Sequence, residues 1–181
     1  LKDGADVVVM LHPDYQYDSR LVPELVRPIL EGRADMVLGS RLLSGGGRTL
    51  AGGMPLYKYI ANRFLTITEN MVLGQHLSEC HTGFRAYSRR LLTTIPFLLN
   101  SDDFVFDTQV IAQAVAYGFK IEEIAVPTRY FDEASSVNFR RSVVYGLSTL
   151  QVMAQYLFHR LGIVRIPRFQ RFLEQVCSRH H

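Results

Sequence analysis

Residues Asp6 to Asp18 read DVVVMLHPDYQYD. Asp6 to Leu11 form a continuous apolar run between polar turns, the pattern of a strand covered on both faces. Directly after it, His12, Asp14 and Gln16 alternate, so an extended chain would project all three to one side. Leu21, Leu25 and Ile29 then recur every fourth position, with Val22, Val26 and Leu30 beside them, which predicts a helix packed on a sheet. Gly32 supplies its stop. Asp35 to Ser40 (DMVLGS) is a second short apolar run. Strand, helix and strand with a crossover of this length predict parallel neighbours in an α/β sheet.

Beyond it, LLSGGGRTLAGG carries five glycines between Gly45 and Gly53 and reads as a loop rather than a regular element. Pro55 opens a predicted helix through Val72, closed by Gly74. The polar segment SECHTGFRAYS is expected to be irregular, followed by a short helix up to Ile95. Phe106, Val110, Ala114 and Tyr117 give another helical stripe, with Gly118 as its stop. Lys120 to Val126 (KIEEIAV) reads as a strand ended by Pro127, and RYFDEASSVNF as a loop.

A long helix from about Phe139 to Leu161 follows. Its Val143, Leu147, Leu150, Ala154, Leu157 and Leu161 alternate spacings of four and three, predicting a narrow apolar seam. Ser142 to Phe158 is 17 residues without a charge, but it contains Ser142, Ser148, Thr149, Gln151 and Gln155 and falls short of a spanning helix. An interfacial helix with basic ends and a seam packed on the domain or on a second copy both remain open.

Composition narrows the class. The chain of 181 residues fits one domain, and 48% hydrophobic with 20% charged residues is enough for an ordinary core, which excludes global disorder. A net charge of +3 and a pI near 9.0 are mildly basic, with arginines scattered rather than gathered into a nucleic-acid arm. Cys80 and Cys177 stand far apart with no CxxC pair, which gives no disulfide framework or zinc signature and suits a cytoplasmic, reducing compartment. Leu1 to Asp6 lacks the pattern of a secretory leader and resembles a helix tail and turn entering a strand, so the chain is expected to begin inside a larger domain.

Polar groups placed where a parallel strand ends suit ligand binding, because open α/β sheets bind ligands beyond the carboxyl ends of their strands. The carboxylate of Asp14, the amide of Gln16 and the imidazole of His12 could hold a divalent ion that bridges phosphates. Alternatively, Asp14 and Asp18 close a turn and cap the next helix. Gly39-Ser40-Arg41 ends the second strand in a guanidinium suited to two-pronged grip of phosphate. Thr82-Gly83-Phe84-Arg85 joins a hydroxyl, a flexible backbone and an arginine behind Glu79 and His81. Asp102, Asp103 and Asp107 cluster at a helix start, where acidic residues are favoured in any case.

In this order and spacing the set resembles the family 2 glycosyltransferases of the GT-A fold, particularly the branch of dolichyl-phosphate mannosyltransferase and other polyprenyl-phosphate sugar transferases. In that family a strand ends in Asp-X-Asp, usually followed by X-Gln; here HPDYQ takes its place, with Asp14 matching the second aspartate and Gln16 the glutamine. Gly39-Ser40-Arg41 matches the family's Gly-Ser-Arg. HTGFRAYSRRLL is similar to the segment usually reading Thr-Ser-Gly-Phe-Arg, with Glu79 where an aspartate is common. GFKIEEIAVPTRY looks like the closing strand. The resemblance covers residues 1–136 and implies a partial GT-A, Rossmann-like sheet flanked by helices, with 137–181 as a helical extension. The family's opening strand with its Asn-Glu turn, and the strand whose aspartate reads the base, have no counterpart here, which implies the carboxyl-terminal part of a catalytic domain, poor at binding nucleotide alone.

The resemblance implies inverting transfer from a nucleotide-diphosphate sugar with Mn²⁺ or Mg²⁺ as cofactor. The leaving diphosphate needs stabilising by the ion and by positive groups. His12, in place of the first aspartate, could ligate Mn²⁺ but suits Mg²⁺ less; otherwise Asp14, Gln16 and diphosphate hold the ion. For a polyprenyl-phosphate acceptor, Arg41 and Lys58 are the implied clamps, with Asn62 beside Lys58 on the helix after the loop. For a glycan hydroxyl, Glu79 or Asp107 would be the base. His81, Thr82, Gly83 and Arg85 are the further substrate-binding candidates, and Ser44 to Gly53 would fold over the substrates as a lid. No nucleic-acid partner is expected; peripheral membrane contact and pairing of copies stay open. The alternative is a degenerate relative serving as a binding or membrane-associated scaffold. A phosphate-handling hydrolase lacks an evident nucleophile.

Overall fold

The apolar run after Asp6 forms β1 (Val7–Met10), the four-spaced leucines form α1 (Val22–Leu30), and DMVLGS forms β2 (Met36–Ser40). They are followed by α2 (Leu56–Leu73), β3 (Arg85–Ser88), α3 (Arg89–Thr94), α4 (Phe106–Ala116), β4 (Ile121–Ala125) and α5 (Phe139–Arg160). This computed structural model describes residues 1, 4–12, 16–43, 45, 53–127 and 139–170. Two expectations therefore lie outside the described residues: the loop reading of RYFDEASSVNF before Phe139, and the lid reading of Ser44 to Gly53, of which only Gly45 and Gly53 are described.

The four strands form one sheet in the order β1-β3-β2-β4. β3 runs antiparallel to both β1 and β2, while β4 runs parallel to β2. Ala86 stands opposite Val9 on one side and Val37 on the other. β1 and β2 thus point the same way, as the strand-helix-strand reading requires, but they are not neighbours. The expectation of an irregular segment over SECHTGFRAYS is corrected in its last four residues. Arg85-Ala86-Tyr87-Ser88 has no apolar run to announce a strand, yet all four residues are buried. β2 is buried throughout, whereas β1, at the edge, is only half-buried, so covering of both faces holds for β2 and not for β1.

The period-two alternation of the strands divides the core. Met36, Leu38 and Tyr87 face a large cluster with Leu73, Leu91, Val110, Ile111, Val152 and Met153, contributed by α2 to α5. Val37, Phe84 and Ala86 face the opposite way, onto Leu25 of α1 and Tyr17. Helices therefore cover both faces of the sheet, the arrangement that keeps apolar residues on successive positions out of water.

α5 packs against α2 and α4, but not on its predicted seam. Val143, Leu147, Leu157 and Leu161 are exposed, while Thr149, Val152, Met153 and Tyr156 are buried. The helix carries apolar residues on more than one side, and backbone proximity selects among them. Gly146 has no side chain to hold α2 away, and a Cβ there would meet Leu65 Cδ1 at 3.8 Å. α2 likewise leaves a stripe exposed, Leu56, Ile60, Phe64, Ile67 and Met71, opposite its buried Leu65 and Leu73. No helix among the described residues is long and apolar enough to cross a membrane.

The sheet closes tightly at Gly39. Its N–H donates to the Phe84 carbonyl at 2.8 Å, and a Cβ there would lie 2.8 Å from Phe84 Cδ1 and 3.2 Å from Val126 Cγ1. Phe84 is itself fully buried, so the clash has no easy outlet. Gly39→Ala is expected to destabilise the fold by about 1–3 kcal/mol, read as a lower urea midpoint with an unchanged m-value.

Candidate active site

The carboxyl ends of β1, β2 and β4 and the start of β3 lie along one edge of the sheet, because Met10 and Leu38 both stand opposite Arg85, and Ser40 stands opposite Ala125. Residues 78–84 run along this edge. Ser40, fully buried, accepts from the backbone N–H groups of Leu42 and Leu43 at 3.1 Å and bonds Ser78 Oγ at 2.6 Å, turning the chain sharply as β2 ends.

Arg41 then enters the site with its backbone N–H, Nε and Nη2 already committed. Its backbone N–H donates to Glu79 Oε2 at 2.8 Å, Nε donates to Glu79 Oε1 at 2.8 Å, and Nη2 donates to the same carboxylate and to the His81 carbonyl. Asn62 Nδ2 donates to Glu79 Oε1 at 2.7 Å, and Thr66 Oγ1 donates to Asn62 Oδ1. The Glu79 side chain is wholly buried and that of Arg41 is 10% exposed. Burial alone would push the Glu79 carboxyl up, but the Arg41 charge and hydrogen bonds, with Asn62, outweigh it and hold it below the usual carboxylate range. On β4, Glu123 accepts from Ser78 N–H, Ser78 O–H and Glu79 N–H; burial still lifts its carboxyl above the ordinary range.

Arg85 is fully buried and points back along the loop. Nε donates to the Thr82 carbonyl at 2.6 Å, Nη2 to the Cys80 carbonyl at 2.8 Å and Nη1 to the Asp107 carbonyl at 3.2 Å, with Asp107 Oδ2 3.6 Å away. Asp107 sits in the first turn of α4, its side chain 24% exposed, so it joins the site edge through Arg85 while keeping a face toward solvent. Arg85 here braces the loop through two of its carbonyls and ties it to a third on α4.

His81 connects the loop to two helices. Its Nδ1 lies 2.6 Å from the Tyr145 hydroxyl on α5, and Nε2 lies 3.0 Å from Glu69 Oε2 on α2, an ion-pair distance off the hydrogen-bond axis. Burial pushes the Tyr145 phenol up. Thr82 Oγ1 and the Gly83 N–H both donate to the Tyr17 hydroxyl, at 3.3 and 3.4 Å, and the Tyr17 ring stacks on Phe84.

The opening stretch is thus docked on the loop at two of its described residues. Tyr17 is one of them. At the other, a Cβ on Gly83 would fall 2.2 Å from His12 Cδ2 and 2.6 Å from Nε2, so the imidazole rests directly on the Gly83 backbone. Asp18 caps the 3-10 turn Ser19–Leu21 by accepting from the Arg20 N–H at 3.0 Å, as expected of it. Asp14 lies outside the described residues, and Gln16 is half-buried. Among the described residues no three His, Cys, Asp or Glu side chains gather to hold a metal ion. Lys58 lies one turn before the buried Asn62 on α2 and is partly exposed.

The structure therefore brings Arg41, Asn62, Glu79, His81, Thr82, Gly83, Arg85, Asp107 and His12 to one edge. Sequence reasoning missed Glu69, Tyr145, Tyr17, Ser78 and Glu123. The signal for Glu69 was present: Asn62, Thr66 and Glu69 fall on the same helical face as the buried Leu65 and Leu73, and polar residues on a core-facing stripe need partners.

A model of the glycosyl transferase family 2 domain matches residues 4–95. The low-salt glycan biosynthesis hexosyltransferase Agl6 of Haloferax volcanii is 34% identical over 119 residues, which is 65% of this chain and 28% of that protein. The UDP-N-acetylglucosamine–dolichyl-phosphate N-acetylglucosaminyltransferase of Methanococcus voltae is 24% identical over 127 residues, 70% of this chain and 49% of that one. Glucosyl-3-phosphoglycerate synthase of Mycobacterium tuberculosis, in complex with phosphoglyceric acid, shares the fold with a TM-score of 0.62 at 20% identity, over 85% of this chain and 50% of that chain. The same enzyme with Mn²⁺, UDP-glucose and phosphoglyceric acid aligns at 0.50 and 22% identity, over 89% and 51%. The chain spans about half or less of the length of each of these proteins.

Because folding lowers the Glu79 pKa, its pairing contributes stability that is present above the ordinary value of 4.5 and lost as pH falls below it toward the folded-state value. Glu79→Gln should cost about 3–5 kcal/mol at neutral pH by leaving the Arg41 charge buried without its partner. It should also flatten the acid limb of a stability-against-pH curve below 4.5, measured by urea unfolding. Gly83→Ala should displace the His12 imidazole, seen as a shift of its ring resonances. Gly146→Ala, whose methyl meets only Leu65 at 3.8 Å, should leave them in place.

Proposed function

The chain belongs to glycosyl transferase family 2, and we propose that it is the carboxyl-terminal part of a GT-A catalytic domain that moves a sugar from a nucleotide-diphosphate donor to an acceptor with inversion. The observation that carries the reading is the convergence of His12, Arg41 and the 79–83 loop at the carboxyl edge of the sheet, where α/β folds bind nucleotides. The relatives named for hexosyl and N-acetylglucosaminyl transfer support it.

Donor diphosphate lies against the end of β1. The carboxylate of Asp14, the amide oxygen of Gln16 and the imidazole of His12 make a donor set that fits Mn²⁺ better than Mg²⁺, and the neighbour holding Mn²⁺ with UDP-glucose supports this choice. A divalent ion there supplies positive charge to the leaving diphosphate. Arg41, fixed by Glu79 and the His81 carbonyl, acts by orientation, its guanidinium held in one pose at the strand end. Lys58, partly exposed on α2, is the further cation of the site. A phosphate acceptor is already anionic and needs positioning alone. For a hydroxyl acceptor, Asp107 is the better base, since both oxygens of Glu79 are engaged and its lowered pKa makes it a weaker proton acceptor.

The dolichyl-phosphate relative supports a polyprenyl phosphate as acceptor. The exposed stripe of Leu56, Ile60, Phe64, Ile67 and Met71 on α2 supports contact with the lipid surface where such an acceptor resides. His12 in the place of a carboxylate favours a second reading, a degenerate relative that binds without catalysing.

Manganese titration of the full-length protein with a nucleotide-diphosphate sugar separates the two. Metal-dependent donor binding is expected, weakened about 10- to 100-fold by Asp14→Ala. Donor binding that is absent, or indifferent to both the metal and the substitution, would favour the degenerate relative.

A further inference from the structure

Glu69 has no part in the transfer described above, yet it is fully buried on α2. Neither of its oxygens has a hydrogen-bond partner among the described residues. Its charge is met by His81, whose Nε2 lies 3.0 Å from Oε2. The Cys80 thiol also feels that charge, which adds to burial in pushing the thiol up. A carboxylate placed this way is a net cost to folding, because desolvation exceeds what one electrostatic contact gives back. Stability therefore does not account for it, and the geometry around His81 does.

The His81 ring, its side chain only 8% exposed, is held from both sides. The Tyr145 hydroxyl lies 2.6 Å from Nδ1, and the two rings meet edge to face. Burial pushes the Tyr145 phenol up, so one proton lies between its oxygen and Nδ1. Nε2 must carry the ring's other proton, since a lone pair there would face the Glu69 carboxylate. One nitrogen is thus tied to α5 and the other to α2, and the carbonyl of the same residue accepts from Arg41 Nη2 at 2.8 Å. Nε and Nη2 of Arg41 both meet the one oxygen Oε1 of Glu79, which makes that atom a pivot. The His81 carbonyl adds a second point on Nη2, away from the pivot.

We propose that Glu69 and Tyr145 are positioning residues for the donor diphosphate: by clamping His81 from two helices they keep its carbonyl on Arg41, and so set the pose in which that guanidinium faces the leaving group. The proposal rests on the glycosyl-transfer reading and extends it to residues behind the site edge. Groups one contact removed from a reacting centre commonly decide orientation in this way.

The test uses the full-length protein with ¹⁵N-labelled histidine and arginine, titrated calorimetrically with UDP, and in parallel with GDP, in the presence of Mn²⁺. In the unaltered protein His81 Nε2 should be protonated. Tyr145→Phe, which removes one oxygen and keeps the ring, should shift the His81 ring signals and the Arg41 Nε–H signal and weaken nucleotide binding about two- to tenfold. Glu69→Ala should do the same, and Glu69→Gln, which keeps an acceptor, should recover part of the loss. Tyr156→Phe, the same truncation about three turns along α5, should change neither signals nor affinity. The urea midpoint of Glu69→Gln should stay level or rise; a midpoint that falls in step with affinity assigns a purely structural role and overturns the proposal. If Glu69→Ala does not fold, Tyr145→Phe and Glu69→Gln decide. An unprotonated Nε2, or equal nucleotide binding by all variants, also overturns it. Should the unaltered protein bind neither nucleotide while Tyr145→Phe still shifts the Arg41 signal, the clamp stands and the glycosyl-transfer reading falls instead.

Discussion

The buried pair of Arg41 and Glu79 is the contact around which the rest of this edge is arranged. A carboxylate with no exposed surface is costly to bury unless its charge is met and its oxygens are bonded. Here both oxygens are filled, by the backbone and side chain of Arg41 and by Asn62. Three separate parts of the chain are thereby tied at one point: the end of β2, the second turn of α2 and the loop that precedes β3. Their relative positions follow from the geometry of one guanidinium and one carboxylate.

The second constraint is the strand inserted between β1 and β2. A loop leading into the centre of a sheet must satisfy its carbonyls without a ladder partner, and Arg85 does this for the carbonyls of Thr82 and Cys80. The same requirement explains why the loop recruits side chains from α2 and α5. Glu69 and Tyr145 meet the ring of His81, and the Tyr17 hydroxyl receives Thr82 and Gly83. A loop with this many fixed partners is a rigid platform, which suits a site that must hold charged groups at set distances.

The parts of this architecture that were legible in the sequence are those written in periodicity. β2, α1, α2, α4 and β4 came from apolar runs and four-residue spacings, and Gly32, Gly74 and Gly118 marked helix ends where the chain takes positive φ. β3 was not legible, because Arg-Ala-Tyr-Ser has no apolar pattern and its burial depends on what lies on either side of it. The face of α5 that packs on the domain was not legible for a related reason. Hydrophobicity favoured Leu147 and Leu157, but the small Gly146 and Thr149 allow closer approach. Among the site residues, His12, Arg41, Glu79 and the 81–85 segment stood out by type and spacing, and the structure gathers them at one edge. What they do there was less legible, since pairing decides it: an arginine read as a phosphate grip is already held by a carboxylate.

The strand order also bears on how the molecule comes together during synthesis. β1 and β2 share no hydrogen bonds with one another, and their common partner is β3, which ends at Ser88. The two strands of the first strand-helix-strand unit therefore form no ladder with each other. They wait for about fifty further residues before any ladder to β3 can form, the kind of long-range closure that slows folding. The segment that completes the ladder is the one that delivers Glu79 and His81 to Arg41. One segment thus supplies both the ladder that joins β1 to β2 and the partners of Arg41, and a chain interrupted before it has neither.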